Sequence, residues 1–321
     1  MTTRKPLVLA GPTGSGKSGL ALALAAAHDG AIICADSRQV YAHMRIGAAG
    51  PTDDELQQVW HLGYHEVAPH EVFAAGDFIS RTDAAIAEVQ AAGKWPLLVG
   101  GTGLYLRAWR FGLDDVPRAD PALRQKLEDD LAEKGSVAMH QELADVDPES
   151  AAAITPTDPV RIVRALEVFA MTGQKASTLR TTHFSGAPRH DADFVLLNPD
   201  RAWLVPRIEQ RARQMFDDGL VDEAVALRAV LHDVEGDAPH RLLQTMGYEE
   251  ALKLHDGAMT SEEALEQTFI RQRQFARRQR TWFKKETWWE VFDIASDADL
   301  QAVLRTLLER QNVQETADSS A

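Results

Sequence analysis

Eight residues constrain this chain more than any others. Gly11-Pro12-Thr13-Gly14-Ser15-Gly16-Lys17-Ser18 follows the apolar run Leu7-Val8-Leu9-Ala10 and opens an Ala/Leu-rich stretch. The pattern G-x-x-x-x-G-K-[ST] between a strand and a helix is a phosphate-binding loop. Its glycines let the backbone wrap an anion and aim N–H groups at it. Lys17 supplies a mobile cation for the terminal phosphate, and Ser18 offers a hydroxyl to Mg²⁺. All eight residues are candidate ligands for a nucleotide, such as ATP, or for a diphosphate ester. The loop alone does not say which, or what reaction follows.

Around this loop, short apolar runs alternate with helical stretches, the pattern of an α/β protein with a mostly parallel sheet. Strands are expected at 7–10, 31–35, 96–100, 194–197 and 290–294, and helices at 17–28, 53–60, 77–92 and 103–111. Runs apolar throughout suit strands covered on both faces. Between residues 114 and 192 the strand signal vanishes, and helical segments at 121–134 and 159–171 stand out. Pro121 and Pro159 each follow an Asp, an N-cap with proline in the first helical turn. The expected organisation is therefore a P-loop NTPase-like catalytic core from 1–113 and 193–310. A helical insertion domain fills 114–192, and a polar tail frays from 311 to 321.

Composition narrows the classes. The 321 residues include 45% hydrophobic side chains, enough for a core, so wholesale disorder is excluded. The single cysteine, Cys34, excludes a disulfide framework and fits a reducing, cytoplasmic compartment. No apolar run approaches the roughly 18 residues of a membrane span, and the N-terminus lacks a signal-peptide core. A net charge of −14 argues against a uniformly basic surface, but local charge decides nucleic-acid binding.

Two further strand ends bear polar groups. The run 31–35 ends in Asp36-Ser37-Arg38-Gln39. At the carboxyl end of a parallel strand, Asp36 lies in the ligand crevice beside the phosphate loop. It can be a turn former, a Mg²⁺ ligand or a general base. The run 96–100 passes into Gly101-Thr102-Gly103, where the glycines permit close backbone approach and Thr102 presents a hydroxyl. Three strand ends then converge on one crevice.

Thr260 and Glu263 form a capping-box signature for a long helix reaching about Lys285. From Arg271 to Lys285 the chain holds seven cations and no acid. Leu265, Phe269, Ala276 and Phe283 share a stripe expected to face the core, flanked by Arg273, Arg277, Arg280 and Lys284. A solvated face usually mixes signs, so this one points to a phosphate backbone. The insertion adds Arg161, Arg164, Lys175, Arg180 and Arg189, with Glu167 the only acid between Pro159 and His190. A track of this length suits a nucleic acid rather than a mononucleotide.

These segments together resemble the tRNA dimethylallyltransferases, or isopentenyl-tRNA transferases, of bacterial type. The resemblance runs colinearly from Leu7 to about Trp289. It rests on the phosphate loop, 36–41, 47–51, 75–78, 98–105, 158–167, 207–211, Met246-Gly247-Tyr248 and 271–282. It implies transfer of a prenyl group from dimethylallyl diphosphate to the exocyclic amine of adenosine 37, beside the anticodon. By resemblance, Thr13 to Ser18 hold the diphosphate, with Mg²⁺ on Ser18 and Arg207 as a second clamp. Asp36 is the base, alongside the catalytic cations Lys17 and Arg207. Asp36, Ser37, Arg38 and Gln39 line the adenine channel. Thr102, Arg124, Val160, Arg161, Ile162, Val163 and Arg164 resemble tRNA-contacting positions. The partners implied are the anticodon stem-loop of a tRNA and the prenyl diphosphate; a monomer is expected. The chain departs from many members at Val59-Trp60-His61-Leu62, where they carry Pro-His-His-Leu. The zinc finger common in eukaryotic members is forbidden by the single cysteine. Three rivals remain: the same chemistry on free AMP, ADP or ATP, a small-molecule kinase, and a non-catalytic nucleic-acid-binding module.

Overall fold

The computed structural model describes residues 4–114, 116–179, 187–234 and 240–319. The chain divides into two compact units: Met1–Trp109 with His190–Ala321, and Arg110–Arg189.

The first unit is built on six parallel strands in the order β3-β2-β4-β1-β5-β6. In chain order these elements are β1 (Leu7–Ala10), α1 (Lys17–Ala27), β2 (Gly30–Cys34), α2 (Asp53–Gln58), β3 (Trp60–Leu62), α3 (Ala75–Ala91), β4 (Trp95–Gly100) and α4 (Gly103–Phe111). Alternate strand residues face opposite layers, as pleating dictates. Val8, Ala10, Ile33 and Leu98 pack with Phe78, Trp109 and Phe283 on one face. Leu7, Leu9, Ile32 and Leu97 pack with Leu20 and Leu24 of α1 on the other. One correction arises here. The helix expected at 53–60 stops at Gln58, because Val59 takes extended backbone and Trp60 starts a three-residue edge strand. β4 lies between β1 and β2, so Asp36 and the phosphate loop flank the Gly100–Gly101 strand end.

The second unit holds α5 (Pro121–Lys134), α6 (Ser136–Val146), α7 (Pro148–Ala153), α8 (Pro159–Thr172) and α9 (Ala176–Leu179). Asp120 and Asp158 cap α5 and α8, accepting from Leu123 and Arg161 amides at 2.9 and 3.2 Å. Arg180 falls outside the described residues.

The chain returns to the sheet with β5 (Asp193–Pro199) and continues through α10 (Arg201–Asp217), α11 (Leu220–Val230), α12 (Tyr248–His255) and α13 (Ser261–Phe283). β6 (Glu290–Ile294) and α14 (Asp297–Ser319) end it. The capping box of Thr260 and Glu263 starts α13. The buried line of α13 is Ala264, Thr268, Gln272, Ala276, Gln279 and Phe283, half of it polar, while Leu265 and Phe269 are only half-buried. Helix α14 runs through 311–319, where fraying is expected from composition, and Gln311 is itself 4% exposed.

Candidate active site

The phosphate loop sits between β1 and α1. Gly16, the N-cap of α1, has φ +83°, and a Cβ there would lie 2.7 Å from the Leu300 side chain, so glycine alone suits the position. Lys17 and Ser18 open α1, where first-turn amides have no intrahelical acceptor. The amides of Thr13 and Ser15 are already engaged. Thr13 donates to Gln279 Oε1 at 2.9 Å, and Ser15 donates to Pro12 O at 3.2 Å. The Gly14–Ser18 side of the loop lines a cavity of about 920 Å³, whereas Gly11 and Pro12 are buried behind it.

Helix α10 supplies two arginines to this cavity. Arg207 donates to Gly14 O at 3.2 Å and stacks its guanidinium 4.4 Å from the Trp203 ring centre. Arg211, one turn on, donates to the Thr13 hydroxyl. Its Nε is buried and, among the described residues, has no partner. Arg211 was not among the residues singled out from sequence, although its i+4 spacing from Arg207 places both on one helix face. Burial, reinforced by the neighbouring Arg211, pushes the Lys17 ammonium down to about 8.

A second cavity, of about 400 Å³, lies against Thr13, Asp36, Ser37, Arg38 and Gln39. Lys17 and Arg211 line both cavities. Asp36 Oδ1 accepts from the amides of Arg38 and Gln39 at 2.8 and 3.3 Å. Among the described residues its Oδ2 has no donor, so Asp36 forms the turn and keeps one carboxylate oxygen for a ligand. Thr102 hydroxyl accepts from the Ser37 amide at 3.0 Å, which makes it a brace for the Asp36 turn.

The basic helix divides by function. Arg278, not singled out from sequence, lines the Asp36 cavity, as do Arg271 and Gln279. Arg271 is withdrawn from the cationic face, because Glu249 and Glu250 both bind its guanidinium. Arg273, Arg277 and Lys284 are exposed, and Arg280 is half-buried. Arg280 and Lys284 line a small pocket with Pro12 and Asn198. Gln279 ties the site together, accepting from Thr13 and donating to Gly101 O at 3.0 Å. No sequence pattern marks it, since a glutamine on a charged helix reads as solvent-facing.

The helical unit departs most from expectation. Ile162 and Val163 are 0% and 2% exposed in its core, so their side chains are closed to an RNA. Arg124 and Arg164 both bind Glu167, whose carboxylate is fully buried, at 3.2 and 2.6 Å. Only Val160 and Arg161 of this run are exposed.

The IPP transferase family model matches residues 39–286, and the isopentenyl transferase model matches 5–67. A tRNA dimethylallyltransferase of Myxococcus xanthus is 44% identical over 285 residues, covering 88% of this chain and 91% of the relative. The crystal structure of a full-length tRNA isopentenylpyrophosphate transferase from Bacillus halodurans has a TM-score of 0.65 and 33% identity, covering 98% and 99% of the two chains. A eukaryotic dimethylallyltransferase acting on tRNA matches with a TM-score of 0.73 and 26% identity, over 92% of this chain and 75% of that one.

Proposed function

The chain belongs to the IPP transferase family and is a tRNA dimethylallyltransferase, and we propose that it moves the dimethylallyl group of dimethylallyl diphosphate to N6 of adenosine 37 in the anticodon stem-loop. The observation that carries this finer reading is the pair of cavities sharing Lys17 and Arg211, with the phosphate loop on one side and Asp36 on the other. A diphosphate held by the first and a purine entering the second meet at the two shared cations.

Adenine's exocyclic amine is a weak nucleophile, because its lone pair is delocalised into the ring. Asp36 Oδ2 accepts the N6 proton as the N6–C1 bond forms, a contribution of about 10²–10⁴ in rate. The allylic C1–O bond breaks, and its electron pair goes to the bridging oxygen of the departing diphosphate. Lys17, Arg207 and Arg211 meet that growing charge with donors already in place, which avoids reorganisation during the reaction. The phosphate loop thus serves a leaving group, with no phosphoryl transfer. The target base must leave the loop stack to reach Asp36, which suits a single-stranded anticodon loop.

Ser18 fits a Mg²⁺ ion: its exposed hydroxyl is on the cavity wall, and a hard cation takes its remaining ligands from phosphate oxygens and water. When bound, the ion neutralises diphosphate charge. Among the described residues no helix is long and apolar enough to cross a membrane. We place the enzyme in the cytoplasm, acting as a monomer.

The test is incubation with radiolabelled dimethylallyl diphosphate and unmodified tRNA, the same tRNA with guanosine at position 37, and free AMP. Label is expected in the first alone. Label in AMP, or equal label in the guanosine variant, overturns the assignment.

A further inference from the structure

Glu223, on α11, has no role in the chemistry above, yet four donors converge on its carboxylate. The backbone amides of Arg45, Ile46 and Gly47 donate to it at 2.8–3.0 Å, and the Tyr248 hydroxyl donates at 2.6 Å. Three consecutive amides aimed at one anion form a nest, and hydrogen bonds to a charged acceptor are the stronger kind. Burial and the neighbouring carboxylate push the Tyr248 hydroxyl well above its ordinary range, so it stays a donor.

The segment held this way belongs to both cavities. Arg45, Ile46 and Ala49 line the phosphate cavity, while Gly47 and Ala48 line the Asp36 cavity. Gln39 grips the same segment from the other side, donating to Ala48 O and Ala49 O at 3.1 and 2.6 Å. Gly47 is pressed onto the Tyr248 ring, where a Cβ would lie 2.3 Å away, so the segment cannot shift toward α12.

We propose that Glu223 is a positioning residue for prenyl transfer, fixing the 45–49 backbone so that the donor's C1 and the acceptor amine stand at reacting distance. This rests on the reading of the two cavities as donor and acceptor sites. Misplacement of reacting groups by about 1 Å is worth about a hundredfold in rate, with binding of either partner alone little changed. Glu223→Gln keeps the shape but turns an NH₂ toward the nest.

The experiment compares wild type, Glu223→Gln and Tyr248→Phe by steady-state kinetics with dimethylallyl diphosphate and anticodon stem-loop RNA. Calorimetric binding of inorganic pyrophosphate and hydrogen exchange of the 45–47 amides are read alongside. The expected result is a fall in kcat of about 10–100-fold for Glu223→Gln, with pyrophosphate affinity within about threefold and faster exchange at 45–47. Tyr248→Phe, which keeps the carboxylate, should lose less than about tenfold. Should Glu223→Gln fail to fold, Tyr248→Phe carries the test, and both faster exchange at 45–47 and a lower kcat are required of it. Unchanged kcat despite faster exchange, or a kcat loss with exchange unchanged, overturns the proposal. A wild-type protein that transfers no prenyl group instead sinks the reading of the cavities, while the exchange measurement still reports on the Glu223 nest.

Discussion

The side chain of Gln279 accepts a hydrogen bond from the Thr13 backbone amide at 2.9 Å, joining residues 266 positions apart. Gln279 Nε2 donates to Gly101 O at 3.0 Å, so one buried glutamine fastens the phosphate loop to the end of β4. Both partners are backbone groups of buried residues. Gln279→Leu orphans an N–H and a C=O, each worth roughly 1–3 kcal/mol when buried and unpaired. We expect a loss of about 2–4 kcal/mol in urea unfolding together with weaker pyrophosphate binding. Wild-type stability would show that the glutamine merely fills space.

Asp36 is the sharpest test of the chemistry. Asp36→Asn retains an oxygen that can accept from the Arg38 and Gln39 amides, so the turn survives. The variant should bind tRNA as wild type does while turnover falls at least about a hundredfold. Near-normal turnover removes the base assignment.

Lys17 sets a pH limb. Its ammonium sits at about 8 in the free protein, down from 10.5, chiefly through burial and then through Arg211. Diphosphate capture needs the charged form, so kcat/KM for the donor should fall about tenfold per pH unit above that point. The kcat limb, which reports the complex, should lie higher, because bound diphosphate restores the ammonium. For stability the sign is opposite: between 8 and 10.5 the unfolded chain holds more protons, so this group makes folding more favourable as pH rises. A kcat/KM flat from pH 7 to 10 would show that Lys17 does not titrate there.

What the sequence made legible was local. The phosphate loop, the Asp caps of α5 and α8 and the capping box of α13 are each written within eight consecutive residues, and each is found where the pattern puts it. Contacts between distant residues left no such trace. Arg211 reaches Thr13 across 198 positions, and the Glu223 nest spans 176 to 178. β3 was missed because three residues at a sheet edge are too few to show a period. The helix at 159–172 shows a different limit: Ile162 and Val163 resemble tRNA-contacting positions of the family, yet their side chains are buried in the core.

Arg124 separates a folding role from an RNA role. Its guanidinium pairs with Glu128 and with the buried Glu167, which among the described residues keeps only Arg164 when Arg124 is removed. Losing one of two partners of a buried charge should destabilise the helical unit by about 1–3 kcal/mol, less than the full cost of stranding the acid. Thermal unfolding of Arg124→Ala is the measurement, with the salt dependence of tRNA binding unchanged. A wild-type melt with a reduced salt slope would return Arg124 to the RNA surface.

The cationic face of α13 makes a contrasting pair of outcomes. Arg277 is exposed and Arg280 is half-buried, its Nε without a partner among the described residues. Arg271 on the same helix is held by Glu249 and Glu250, the latter 2% exposed. Each phosphate neutralised by a free cation adds roughly one unit to the slope of log K against log salt. Replacing Arg277 and Arg280 together by glutamine should lower that slope by about one to two units with folding intact. Arg271→Gln should leave the slope alone and lower stability, because the buried Glu250 loses its cation and keeps only the Gly247 amide among the described residues. Equal slopes for wild type and the Arg277/Arg280 variant would place the tRNA backbone on another surface, and a slope loss in Arg271→Gln would mean that RNA displaces the two glutamates on binding.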